Sequence, residues 1–206
     1  MKLISRVSVV LIIISSFAFT NTVSADELVV GDKYPGYIIK NNNDTVYGYI
    51  RYGGVVNSQK KCEFYTNETD RKPTKVYSPK ELKAYLLSDV LYRTINYSGG
   101  LLSKPLRFLL VLKDGELTVF KFYSEGSVPY NEEREEKMVY YKWHDPKNPK
   151  PVTNEKFGFN FSKKMSAYVA DDKELSRKIL KKEKGYGLIH IYDIIDEYNA
   201  WYIENN

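Results

Sequence analysis

The chain is poor in the residue types that carry most of the chemistry of enzymes and metal sites. It contains one cysteine, Cys62, and two histidines, His144 and His190, in 206 residues. A single cysteine cannot form an internal disulfide bond, and none of the three lies in the local pattern of a zinc site or a cysteine nucleophile. We therefore expect no catalytic residue, metal site or cofactor. A pairing of Cys62 with either histidine would require distant segments to meet.

Long apolar runs are scarce as well, and the one that is present lies at the start of the chain. Lys2 and Arg6 precede the apolar run 7–19, and Val23-Ser24-Ala25 has the small residues of a cleavage site. This order is typical of a secretory signal peptide. The run is shorter than the ~20 residues that a membrane-spanning helix needs. The sequence predicts a signal peptide over residues 1–25, cleavage after Ala25, and a periplasmic or extracellular mature chain without a transmembrane span.

A tract of one charge sign is also missing. The formal net charge is +5, and Lys2 and Arg6 fall in the predicted signal peptide, which leaves +3. The best basic candidate, residues 178–184, reads Lys-Ile-Leu-Lys-Lys-Glu-Lys, which predicts the solvated face of a helix. A nucleic-acid-binding protein would present a basic stripe. We expect no nucleic-acid partner.

Strand and turn signals dominate the mature chain. Leu106–Tyr123 contains two apolar runs joined at Asp114-Gly115, a pair that favours a tight hairpin turn. Asn41–Asp44 predicts a second hairpin loop before the strand Thr45–Tyr52. In that strand, the residues alternate between a side with Val46, Gly48, Ile50 and Tyr52 and a side with Tyr47, Tyr49 and Arg51. Further strands are predicted over 62–65, 84–87, 90–97 and 138–143.

Beyond the proline-bearing passage 144–155, the apolar spacing becomes helical. Residues 161–169, 175–180 and 188–202 each carry an apolar stripe, and Asp171–Glu174 is a capping box for the second of them. Ser78–Glu81 is another capping box and predicts a short helix. The sequence thus predicts an α+β fold: a mainly antiparallel, sandwich- or barrel-like β domain over 26–155, with a C-terminal segment of two to three helices, 156–206, packed on the sheet.

Tyrosine is abundant, with 19 residues, all of them after residue 25. A tyrosine combines a flat apolar ring with a polar tip and suits contact with proteins or sugars. Strand propensity is the other explanation for this abundance. As possible partner or glycan contacts, the sequence predicts residues of the first hairpin, namely Tyr47, Tyr49, Arg51 and Tyr52.

Four parts of the chain together carry a family resemblance: Gly36–Ile39, Asp44–Ile50, Lys75–Pro79 and the helical residues from Phe161 to Tyr202. In these parts the chain resembles a group of exported, uncharacterised proteins of Bacteroidota-type bacteria, in which a tyrosine-rich β domain precedes helices. It implies a periplasmic or envelope setting, and it carries over no active site to this chain. Asp44-Thr45-Val46 also resembles the O-glycosylation acceptor motif of such proteins, which marks Thr45 as a possible glycan site.

Two functions are consistent with these features. The first is a non-enzymatic binding or structural protein of the cell envelope, with an envelope protein or a glycan as partner. The alternative is a hydrolase of envelope or extracellular polymers, which would bring two carboxylates together across a cleft. The clusters Glu132/Glu133, Asp171/Asp172 and Asp193/Asp196/Glu197 supply carboxylates, but a helix cap or a solvated surface explains each of them.

Overall fold

The computed structural model describes residues 28–97, 105–124, 136–145 and 150–206. The predicted signal peptide lies outside these residues. The strands are β1 (Lys33–Lys40), β2 (Thr45–Arg51), β3 (Cys62–Tyr65), β4 (Lys75–Tyr77), β5 (Leu82–Leu87), β6 (Val90–Asn96), β7 (Leu106–Lys113), β8 (Leu117–Tyr123), β9 (Glu136–Lys142) and β10 (Val152–Thr153). The helices are α1 (Val55–Ser58), α2 (Asn154–Gly158), α3 (Phe161–Tyr168), α4 (Lys173–Leu180) and α5 (Ile191–Asn205), and a 3₁₀ turn, Leu188–His190, leads into α5.

The strands form one antiparallel sheet in the order β10-β9-β8-β7-β6-β5-β1-β2-β3-β4. Each of the two halves is a meander in which neighbours along the chain are neighbours in the sheet. The halves join where β5 pairs with β1, although the chain has passed through β2, β3 and β4 in between. The predicted α+β fold with a mainly antiparallel sheet and C-terminal helices is confirmed.

The central hairpin forms as the turn chemistry predicts, but its tip is longer than a two-residue turn. A register shift near the end of β7 sets Lys113 opposite Val119, so the tip extends over Asp114–Glu116. Gly115 has a φ of 151°, and a Cβ at this position would come within 2.4 Å of the Asn199 side chain of α5. Glycine is therefore required where the tip meets the helix.

The sheet is strongly curled, so that strands far apart in its order share one core. Cys62 and Phe64 of β3 belong to the same buried cluster as Tyr123 at the end of β8. In a flat sheet, β3 and β8 would be six strand spacings apart, roughly 29 Å. Gln59, in the loop after α1, spans the concave side: its amide donates to the Tyr123 carbonyl oxygen and its side-chain oxygen accepts from the Tyr123 N–H, both at 2.8 Å.

Tyrosines fill part of this core. Tyr85 and Tyr92, directly opposite each other on β5 and β6, stack with ring centroids 4.8 Å apart. The Tyr85 hydroxyl donates to the carbonyl oxygen of Ser58 at 2.6 Å, which satisfies its polar tip. Strand and core packing therefore account for a share of the tyrosine content.

The C-terminal helices pack over β8 and β9, on the same face of the sheet as this core. Val119 of β8 and Tyr140 of β9, which are opposite each other, contact the buried side of the helices. Ile191, Ile194, Ile195 and Tyr198 of α5 follow the i, i+3, i+4, i+7 spacing of a helix that buries one stripe. None of the helices in the described ranges is long and apolar enough to cross a membrane.

Two helix-start predictions need correction. The one or two helical turns predicted at Ser78 are a single hydrogen-bonded turn that does not continue as a helix, because β5 begins at Leu82. The cap of α4 is Asp172, whose carboxylate accepts from the Leu175 N–H at 3.0 Å. Asp171, one residue earlier, points to the sheet instead.

Candidate functional site

The predicted contact residues of the first hairpin lie on both faces of the sheet. Tyr47, Tyr49 and Arg51 share the outer side of β2, where Tyr47 is 75% exposed, Tyr49 is half-buried and Arg51 is exposed. Arg51 forms an ion pair with Glu63 of β3 at 3.5 Å. Tyr52 points to the other face and belongs to the core, with 3% exposure. The prediction of Tyr52 as a contact residue is therefore wrong, because its ring is buried in the core.

Thr45, the predicted glycan acceptor, is exposed as the first residue of β2. It lies opposite Ile39 of β1, on the same side of the sheet as Tyr47. Its exposure is compatible with modification, and its modification stays a prediction.

The outer side of four adjacent strands carries two cross-strand rows. The tyrosine row consists of Tyr47, Tyr37, Leu86 and Leu91, from β2 through β1 and β5 to β6. The pocket row, two residues along each strand, consists of Thr45, Ile39, Ala84 and Arg93. All members of the tyrosine row are at least partly exposed. On the opposite face of the sheet, at the same place, the side chains of Ile38, Tyr85 and Leu87 are buried in the core.

A pocket of about 660 Å³ opens at the pocket row, where the strand ends meet the turns. Its size lies within the range of ligand sites, which are typically about 300–1,000 Å³. The apolar lining comes from the ends of β1, β5 and β7 and from Trp143, which follows β9. The residues that line it are Ile39, Asn41, Asn43, Pro79, Lys80, Leu82, Lys83, Ala84, Arg93, Thr94, Leu106 and Trp143.

The charged groups that line this strand-end pocket are cationic. Lys83 donates to the Asn43 side-chain oxygen at 2.5 Å and has no carboxylate partner within the described part of the chain. For Lys80, the described ranges contain no hydrogen-bond or ion-pair partner of the ammonium group. The Arg93 guanidinium is paired with Asp114 at 2.8 Å. Two ammonium groups without a carboxylate partner give the pocket a positive potential.

Trp143 forms the far wall, and hydrogen bonds fix its position. The indole Nε1–H donates to the Thr118 hydroxyl at 2.8 Å, and the backbone N–H donates to the Glu116 carbonyl oxygen at 3.0 Å. The Arg93 guanidinium lies over the indole ring, 5.6 Å from its centroid. The pocket wall is therefore anchored to the β7–β8 tip.

A carboxylate and a histidine meet beside that wall, on its side toward α5. The Glu116 side chain, only 3% exposed, accepts from the His144 backbone N–H at 2.6 Å and contacts His144 Nδ1 at 2.7 Å. The His144 ring is 74% exposed and stacks on Tyr202 of α5. Through these two contacts, Glu116 orients the His144 ring and links the end of β9 to the β7–β8 tip.

A second polar cluster joins the sheet to the helices. Lys142 donates to Asp171 at 2.7 Å, and the Tyr198 hydroxyl donates to the other carboxylate oxygen of Asp171 at 2.6 Å. Burial disfavours the Asp171 carboxylate, but these two hydrogen bonds outweigh it and hold the pKa of Asp171 below its usual value. Burial and the bond to Asp171 raise the pKa of Tyr198 well above its usual range. Asp171 is therefore the ionised counter-ion of Lys142, and a raised pKa, which a general acid requires, is not found for it.

The residues considered for cysteine or metal chemistry do not meet. Cys62 is buried in the core, where desolvation first and the nearby Glu63 second raise the pKa of its thiol, whereas His190 contacts Asp193 at the surface. Within the described ranges, no three His, Cys, Asp or Glu side chains are grouped so that they could hold a metal ion.

Sequence reasoning missed the strand-end pocket because its walls come from segments far apart in the chain. Arg93 and Trp143 lie in predicted strands and Lys83 directly before one, and only the pairing of β5 with β1 brings the Asn41–Asp44 turn beside them. The local signals available were the polar Asn41–Asp44 turn and a tryptophan at the end of a strand.

Comparison with known proteins gives no match to a family model, to a curated protein or to a solved structure.

Proposed function

We propose that the protein is an exported, non-enzymatic binding protein of the cell envelope, whose ligand is an anion with an apolar body held in the strand-end pocket. The observation that carries this proposal is the combination of an apolar pocket of about 660 Å³ with Lys80 and Lys83, two ammonium groups that no described carboxylate neutralises. Such a site attracts anions and buries their apolar part.

The lining also favours binding over hydrolysis. A glycoside hydrolase places two carboxyl groups about 5–9.5 Å apart around the bond that it cleaves. Among the described residues that line the strand-end pocket, none is Asp or Glu. Asp114, at the β7–β8 tip, is the counter-ion of the Arg93 guanidinium and also accepts from the Gly115 N–H.

Export is supported by the basic, apolar and small residues of segment 1–25. An intact mass of the protein from its natural host tests this part of the proposal. We expect a chain that begins at Asp26, with additional mass at Thr45 if that residue carries a glycan. A mass equal to the full unprocessed chain would contradict export.

The binding proposal is tested with a matched pair of probes, 1-naphthoate and its uncharged analogue 1-naphthamide. Isothermal titration should give an affinity for naphthoate about tenfold higher, since each exposed ion pair contributes up to about 1 kcal/mol. The double variant Lys80→Gln/Lys83→Gln should reduce the naphthoate affinity to that for naphthamide. Both lysines are exposed, so the variant should keep the fold.

Lys163→Gln on α3 provides the control, because it removes an exposed ammonium group that does not line the pocket. It should leave both affinities unchanged. Equal binding of naphthoate and naphthamide to the unmodified protein, or no binding of either, would overturn the proposal.

A further inference from the structure

We propose that the natural ligand is an acidic glycan chain, with one charged unit in the strand-end pocket and the next units on the tyrosine row. This inference rests on the proposed function, because it takes the pocket as the binding site. It goes beyond it by assigning the surface next to the pocket to the same ligand.

The registers of the sheet make the pocket and the tyrosine row one continuous surface. Ile39 and Ala84, which line the pocket, are directly opposite each other on β1 and β5. Two residues along the same strands, Tyr37 and Leu86 are opposite each other in the same way. Side chains two residues apart in a strand point to the same face. A ligand that leaves the pocket along these strands therefore crosses Tyr37 and reaches Tyr47.

The tyrosine row offers the kind of surface that sugar rings bind. Tyr37 and Tyr47 meet edge to face, with ring centroids 5.7 Å apart, and Tyr47 is largely exposed. Their rings provide apolar surface for the C–H side of a sugar, and their hydroxyl groups provide hydrogen bonds. The core tyrosines Tyr85 and Tyr92, in contrast, are buried.

Charge complementarity selects an acidic chain. Lys80 and Lys83 line the pocket without a carboxylate partner among the described residues, and the strand positions of both rows contain no carboxylate. By standard strand spacings, the Cα of Ala84 lies about 12 Å from the Cα of Tyr47, two strands and two residues away. This distance exceeds one sugar ring, so a monosaccharide cannot occupy both places and an oligosaccharide can.

The test compares galacturonate with tetragalacturonate by isothermal titration. The tetramer should bind at least about fivefold more tightly than the monomer if each contacted aromatic ring contributes about 1 kcal/mol. Tyr47→Ser should remove this advantage of the tetramer and leave the affinity for the monomer within about twofold. The double variant Lys80→Gln/Lys83→Gln should lower the affinity for both the monomer and the tetramer. Tyr192→Ser on α5, another exposed tyrosine, should change neither.

The outcomes separate the two proposals. The glycan inference is overturned if naphthoate and galacturonate bind but the tetramer binds no more tightly than the monomer. It is also overturned if Tyr47→Ser leaves the tetramer affinity unchanged. In both cases, anion binding in the strand-end pocket is still supported. If the methyl-esterified, uncharged tetramer binds as tightly as the acid, the acidic chemistry is overturned. If neither naphthoate nor galacturonate binds, the proposed function itself fails.

Discussion

At the scale of single residues, Glu81 shows how one side chain sets a wall of the strand-end pocket. Its carboxylate accepts from the Ser78 backbone N–H and from the Ser78 hydroxyl, both at 2.9 Å, and pairs with Lys75 at 2.9 Å. These contacts close the turn that carries Pro79 and Lys80, two lining residues. The Ser-x-x-Glu pattern predicted the contact from the Ser78 N–H to the Glu81 carboxylate. The other half of a capping box is replaced, because the Glu81 N–H donates to the Ser78 backbone carbonyl oxygen and the Ser78 hydroxyl donates to Glu81.

The Glu81 contacts predict a pH dependence of this turn. The Ser78 N–H first, and then Lys75 and the Ser78 hydroxyl, lower the pKa of Glu81 from 4.5 to about 2. A lowered folded-state pKa means that the contribution to stability is complete above pH 4.5 and is lost as the pH falls toward 2. An NMR titration of the Glu81 carboxyl carbon should give a midpoint near 2, and Ser78→Ala should raise it. A midpoint near 4.5 in the unmodified protein would contradict these contacts.

At the scale of elements, local sequence signals identified most strands and helices. They missed or misplaced the short strands and the helix cap, which depend on contacts with other elements. Period-two alternation placed β2, the apolar runs on either side of Asp114-Gly115 placed β7 and β8, and helical spacing placed α3, α4 and α5. The strands β4 and β10 have three and two residues, too few for a periodic pattern. The Asp171–Glu174 pattern favoured Asp171 as the cap, but Asp171 bonds Lys142 of β9 and Asp172 caps α4 instead.

The Lys142–Asp171 pair should be the main polar link between the sheet and the helices. The Lys142 ammonium group is 5% exposed, so the removal of Asp171 leaves a buried charge without its counter-ion. We expect Asp171→Asn to lower the free energy of unfolding by about 2–3 kcal/mol, below the full cost of breaking a buried pair because Asp171 is itself partly exposed. Urea unfolding measures this change.

Asp193→Asn is the matched control, since Asp193 is an exposed carboxylate on α5. It should change stability by less than about 0.5 kcal/mol. Equal stabilities of the two variants would show that Lys142 does not depend on Asp171.

At the scale of the whole molecule, the sheet order and its curl determine both the core and the strand-end pocket, and neither is local in sequence. The sequence separated the two sides of the strand at Thr45–Tyr52, but it counted the buried Tyr52 among the contact residues and did not predict that β5 returns to pair with β1. The contacts that bend the sheet, such as those of Gln59 with Tyr123, join residues 64 positions apart. No periodicity or turn signal reports such a contact.

Because Gln59 connects distant strands of the curled sheet, its substitution should lower the stability of the protein strongly. Its side chain satisfies both the N–H and the carbonyl oxygen of Tyr123 in the interior. Gln59→Met keeps the approximate volume but removes both of these buried hydrogen bonds, which should lower the free energy of unfolding by about 2–4 kcal/mol in urea. Asn205→Ala, an exposed amide at the end of α5, should have an effect below about 0.5 kcal/mol. A loss below about 1 kcal/mol for Gln59→Met would mean that other contacts hold the curl.

The most direct test of the central claim, binding at the strand-end pocket, follows the two tryptophan side chains in one NMR titration with galacturonate. Trp143 lines the pocket, whereas Trp201 packs with the helices on the other face of the sheet and serves as an internal control. The account predicts a saturable shift of the Trp143 indole N–H and the Ala84 amide, with Trp201 unchanged. A shift of Trp201 alone, or no shift at Trp143 and Ala84, would contradict it.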